Sequence, residues 1–91
     1  MPFIWTKNSN RTRIARKVLE QAIATAVKES DPNCELFVGV FIERRARKSQ
    51  AETNWTLKGI RFGKADRDRC SAIVASVVEK MQREFELTED R

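Results

Sequence analysis

Arg44-Arg45-Ala46-Arg47-Lys48 sets four cations within five residues, and no acid follows until Glu52. The cluster lies between two apolar runs, Leu36 to Ile42 and Trp55 to Phe62. Two neighbouring strands are normally joined by a turn of Gly, Asn, Asp or Ser. Four like charges on such a loop repel one another. The loop is therefore either a solubilising edge or a grip for an anion, such as a nucleic-acid phosphate or the carboxylates of an acidic protein.

Other residues with chemical potential are few. Trp5 and Trp55 could stack on bases. In a domain this small a tryptophan is more often a core anchor, but Trp55 stays a candidate because it lies close to the basic loop. Cys34 and Cys70 match no CxxC spacing, and the chain has no histidine. The usual zinc partner and the usual base of a nucleophilic triad are therefore missing. Cys70 starts an apolar helical stripe, so it reads as a small buried hydrophobe; Cys34, at a turn, also reads as structural. Gly39, Gly59 and Gly63 make neither a P-loop nor a GxGxxG motif. No paired carboxylates and no nucleophile with an adjacent base can be identified. The expectation is a binding domain, with no catalytic residues, no metal and no cofactor.

The elements that must position these residues are legible from periodicity. Ala15, Val18, Leu19, Ala22, Ile23 and Ala26 recur on one helical face, which predicts a first helix over about 12–29 with Ser9, Asn10 or Thr12 as its cap. Asp31-Pro32 ends it. A strand is expected over 35–44, with Leu36, Val38, Val40 and Ile42 on one face and Phe37, Gly39 and Phe41 on the other. A second strand is expected over 54–63, where Gly59 marks a bulge or close approach. Asp66 caps a second helix over about 66–86, whose stripe is Cys70, Ile73, Val74, Val77, Val78, Met81 and Phe85. Phe3-Ile4-Trp5 could add a short third strand, and 86–91 reads as a frayed acidic tail. The predicted core includes Leu19, Ala22, Ile23, Val38, Val40, Val74, Val77 and Val78.

The fold class expected is α+β: one two-layer αββα domain over 1–91, with both helices on one face of an antiparallel hairpin. Double-stranded-RNA-binding domains come nearest in element order, but they carry three strands between their helices. The GxxG loop of KH domains is absent, and no site residue is transferred from either family.

This topology puts the start of the first helix at the same end as the hairpin tip. Residues 1–17 carry a charge of +5, 18–43 carry −4, 44–64 carry +6 and 65–91 carry −2. The net charge of +5 thus conceals a strong segregation. Cations in the first helical turn oppose the macrodipole, so their presence asks for a reason. The candidate anion or nucleic-acid site comprises Arg11, Arg13, Arg16, Lys17, Arg44, Arg45, Arg47, Lys48 and Trp55, with Lys7 nearby. The alternative is a homodimeric interaction domain, joined through the sheet face that carries Phe37 and Phe41.

Ninety-one residues suffice for one core that buries a little over ~60% of the unfolded surface. The longest apolar run, Leu36 to Ile42, cannot span a bilayer, and Met1 to Trp5 does not resemble a signal peptide. With only two cysteines, a cytoplasmic location is expected.

Overall fold

The computed structural model describes residues 11–47 and 52–88. Strand β1 (Thr12–Ile14) leads into helix α1 (Arg16–Ser30), then a single 3-10 turn (Pro32–Cys34), strands β2 (Gly39–Arg44) and β3 (Trp55–Arg61), helix α2 (Arg67–Glu84) and strand β4 (Phe85–Leu87). β2 and β3 form the expected antiparallel hairpin, and both helices pack together against it. The domain is α+β, as expected. It also holds a second, parallel pair, β1 with β4. The segment Phe3-Ile4-Trp5 lies outside the described residues.

That parallel pair shifts both helix boundaries. Thr12 and Ile14 are β-branched and sit beside Phe85 and Leu87, so strand pairing overrides helix propensity at both places. α1 therefore begins at Arg16, with Ala15 as a cap that offers no side-chain acceptor. Thr12 is not the cap, and Ser9 and Asn10 lie outside the described residues. α2 ends at Glu84, and the next residues form β4, with Leu87 buried, where a frayed tail was expected. At the start of α2, Asp66 accepts from the Arg69 N–H at 3.3 Å, as its predicted cap role requires.

β2 begins at Gly39, four residues later than expected. Asp31 caps the 3-10 turn by accepting from the Asn33 N–H at 2.8 Å, and the chain keeps turning as the Phe37 N–H bonds to the Cys34 carbonyl. Turning breaks the two-residue alternation of a strand. Phe37 consequently enters the core, where its ring meets Phe62 edge-on at 6.0 Å, while Leu36 and Val38 stay exposed. The assignment of Val38 to the core and of Phe37 to the outer face is corrected accordingly. Val38 instead lies over Gly63, whose φ of +62° and lack of a Cβ permit the contact.

Within β2 alternation holds: Val40 and Ile42 are buried and Phe41 is exposed. Phe41 pairs with Gly59 and Ile42 with Leu57, so Lys58 is the extra residue of a bulge. The core joins Leu19, Ile23 and Val27 of α1 to Val74 and Val78 of α2 and to Phe37, Trp55 and Leu87. Ala22 and Val77 are only partly buried, because they sit at the edges of their helical stripes.

Cys34 and Cys70 are bridged, with Cα atoms 5.8 Å apart. Both are fully buried, as small hydrophobes would be, but their pairing was not apparent from their spacing. The bridge ties the turn after α1 to the first turn of α2. It also removes the cysteine-based reason for expecting a reducing compartment. Among the described residues, no helix is long and apolar enough to cross a membrane.

Candidate nucleic-acid interface

β4 is fixed by the segment entering β3. Asn54 bonds Leu87 twice, donating to its carbonyl at 3.1 Å and accepting its N–H at 2.8 Å. Thr53 and the Trp55 indole both donate to the Phe85 carbonyl, at 2.9 and 3.1 Å. β1 pairs along the other side of β4, and the Thr88 N–H bonds to the Ile14 carbonyl. The hairpin's upper end, the start of the described chain and the end of α2 are thereby held together at one pole.

The predicted cations take up distinct positions there. Arg11 donates to the Gln82 carbonyl at 2.8 Å, in the last turns of α2, where positive charge complements the helix dipole. Arg13 reaches Glu86 Oε2 and Arg47 reaches Glu86 Oε1, both at 3.2 Å. Arg44 donates to the Thr88 carbonyl. Arg45 pairs with Glu52 at 3.6 Å. Arg16 has no ion pair among the described residues; it lines a recess of about 200 Å³ with Arg44, Leu87 and Thr88. Lys17 lines a larger groove between α1 and β2. Lys7 and Lys48 lie outside the described residues.

Electrostatically, the pole gathers arginines from two chain segments around one carboxylate. The guanidiniums of Arg13 and Arg47 remain substantially exposed (69% and 40% for the whole side chains), whereas Glu86 is 15% exposed. The acid is a partly enclosed bridge, and the cations still present surface to a ligand. α1 opens at the same pole with no acid in its first turn and no side-chain cap.

Trp55 is removed from the candidate site. It is fully buried, with its indole N–H bonded to the Phe85 carbonyl, so no base can reach its ring. It is a core anchor and a fastener for β4. Phe37 is also in the core and drops out of the apolar face considered for homodimerisation, whereas Phe41 stays exposed beneath the Arg61 guanidinium, 5.3 Å from the ring centroid, and Leu36 and Val38 are exposed as well.

Sequence reasoning missed two participants. Glu86 was hidden because the residues after Phe85 read as a loose tail, although Phe85-Glu86-Leu87 does alternate as a strand would. Phe41 was noticed only as part of an apolar face. Its exposure depends on its cross-strand partner, Gly59, having no side chain to cover it. Among the described residues, no cluster of His, Cys, Asp and Glu could hold a metal ion. No protein-family model, curated protein or solved structure matches the chain.

Proposed function

We propose that this domain binds nucleic acid through the phosphate backbone, using the pole formed by Arg11, Arg13, Arg16, Arg44, Arg45 and Arg47, with Lys17 extending the footprint. The observation that carries the reading is the meeting of Arg13 and Arg47 on Glu86, because it makes one cationic surface from segments distant in sequence. Phosphate contacts of this kind supply affinity and salt dependence with little sequence preference. The role is binding without catalysis. Support for that comes from the absence of histidine in the chain, which removes the commonest general base.

The test is a binding titration with short DNA and RNA at low and physiological salt. Affinity should fall steeply as salt rises. Arg13→Gln combined with Arg47→Gln should weaken binding to all sequences alike and flatten the log–log salt slope by about 2, roughly one per lost phosphate contact. An absence of binding at low salt by the wild-type chain would remove the proposal, leaving a solubilising surface or an acidic protein partner.

A further inference from the structure

Two recesses of about 420 and 440 Å³ adjoin along the channel between α1 and β2, and Phe41 and Glu20 line both. Lys17 and Arg61 flank the first, and Arg16 and Lys58 the second. Arg16 also lines the recess at the pole beside Arg44, so the channel continues the cationic surface already described.

Phe41 is 46% exposed, a large value for an aromatic ring in the middle of a strand. Three features keep it open. Gly59 opposite has no side chain. The bulge at Lys58 displaces the next cross-strand neighbour. Glu20, the carboxylate lining both recesses, accepts the Ile42 N–H at 3.0 Å and so is engaged by the strand's own backbone. Arg61 lies over the ring at 5.3 Å in a cation–π contact, so a base stacks on the ring by displacing the guanidinium or by using the part of the ring it leaves open.

We infer that Phe41 is a stacking platform for an unpaired base, and that the channel leading from the pole along α1 and β2 takes single-stranded nucleic acid in preference to duplex. The inference rests on the proposed phosphate-binding pole and adds the form of its ligand. Bases in a duplex are already stacked on their neighbours and offer no free face, whereas a single strand can place a base on Phe41 while its phosphates meet Arg16, Lys17, Lys58 and Arg61. Four cations around one engaged acid fit a polyanion. An aromatic ring among them fits one whose monomers carry π-faces, which an acidic peptide generally lacks.

The experiment compares a short oligothymidine with a duplex of equal length, titrated against the full chain and against Phe41→Ala, Phe41→Leu and Phe41→Trp. Loss of one stacked base should weaken single-strand binding by roughly 5- to 100-fold in the Ala and Leu variants. Duplex binding should stay within about twofold of wild type, since backbone contact does not use the ring. Phe41→Trp should keep the affinity and show quenched emission on binding. Thermal melts establish that the variants fold; Leu and Trp preserve apolar bulk should Ala fail. Unchanged single-strand affinity in Phe41→Leu, or equal wild-type affinity for duplex and single strand, overturns the stacking inference. If Arg13→Gln with Arg47→Gln still weakens binding in that case, the pole survives and only the ring's role is lost. If no oligonucleotide binds at low salt, both proposals fall together.

Discussion

Arg13 and Arg47 hold one carboxylate between them, each guanidinium 3.2 Å from a different oxygen of Glu86. The carboxylate organises the two cations and also competes for them. A phosphate arriving at the pole must share or displace it.

Glu86→Gln should therefore strengthen nucleic-acid binding at low salt. Exposed ion pairs are typically worth about 0.2–1 kcal/mol each, so releasing two predicts a gain of roughly twofold to thirtyfold. Stability should fall by a comparably small amount, because β4 keeps its backbone bonds. A titration beside a thermal melt measures both. Unchanged or weaker binding by a folded variant would mean that Glu86 positions the arginines more than it masks them.

Removing the whole tail is a different perturbation. Leu87 is 4% exposed and Asn54 bonds it twice. Truncation after Phe85, or Leu87→Ala, should destabilise the fold, the latter by about 2–5 kcal/mol through lost burial and the cavity left behind. Chemical denaturation gives the value. A midpoint equal to wild type would place Leu87 outside the core.

Core substitutions should separate the centres of the helical stripes from their edges. Ile23 and Val74 have no exposed surface, while Val77 is partly buried and Val38 is 51% exposed. Ile23→Ala should cost about 2–5 kcal/mol. Val74→Ala should cost more than Val77→Ala, and Val38→Ala should be close to neutral. A large loss at Val38 would show that its contact with Gly63 is part of a buried surface.

The two phenylalanines before and within β2 should behave oppositely. Phe37→Glu places a charge in the core and should prevent folding whatever the oligomeric state. Phe41→Glu should fold and remain soluble. Light scattering on the wild type and on Phe41→Glu tests the homodimer alternative: a wild-type dimer broken into monomers by Phe41→Glu would support it.

The Cys34–Cys70 bridge closes a sequence separation of 36 residues around the entire hairpin. A loop of that length corresponds to about 4 kcal/mol of lost unfolded-state entropy. Cys34→Ala with Cys70→Ala should lower stability by up to that amount. Alkylation of the unreduced, denatured protein followed by mass measurement should find both thiols protected. Labelling of both would show that the pair is unbridged in solution.

Much of this architecture is legible in the sequence. Asp66 as a cap and the stripe centred on Val74 and Val78 follow from local patterns, and each is present; the irregularity looked for at Gly59 falls one residue earlier, with Lys58 as the bulged residue. What escapes is non-local. Thr12–Ile14 and Phe85–Leu87 are strands only because each has the other as a partner, and neither has a strong period of its own. Phe37 is buried because the chain turns through Cys34 before β2, a geometry that its apolar neighbours Leu36 and Val38 conceal. The basic residues of the candidate site are visible as composition and topology. The acid that joins two of them and the ring beside them become visible only when the segments meet.

The pairing of β1 with β4 also bears on when the pole can exist. Its parts are far apart in the order of synthesis: Arg13 is made 73 residues before Glu86. Pairing over so long a separation is slow relative to local folding, and N-terminal segments begin to fold first. A nascent chain lacking β4 carries the arginines but has no partner strand to draw Arg13 to Arg47. The pole with Arg13 and Arg47 drawn to one carboxylate thus exists only once β4 is in place and Leu87 has closed the core.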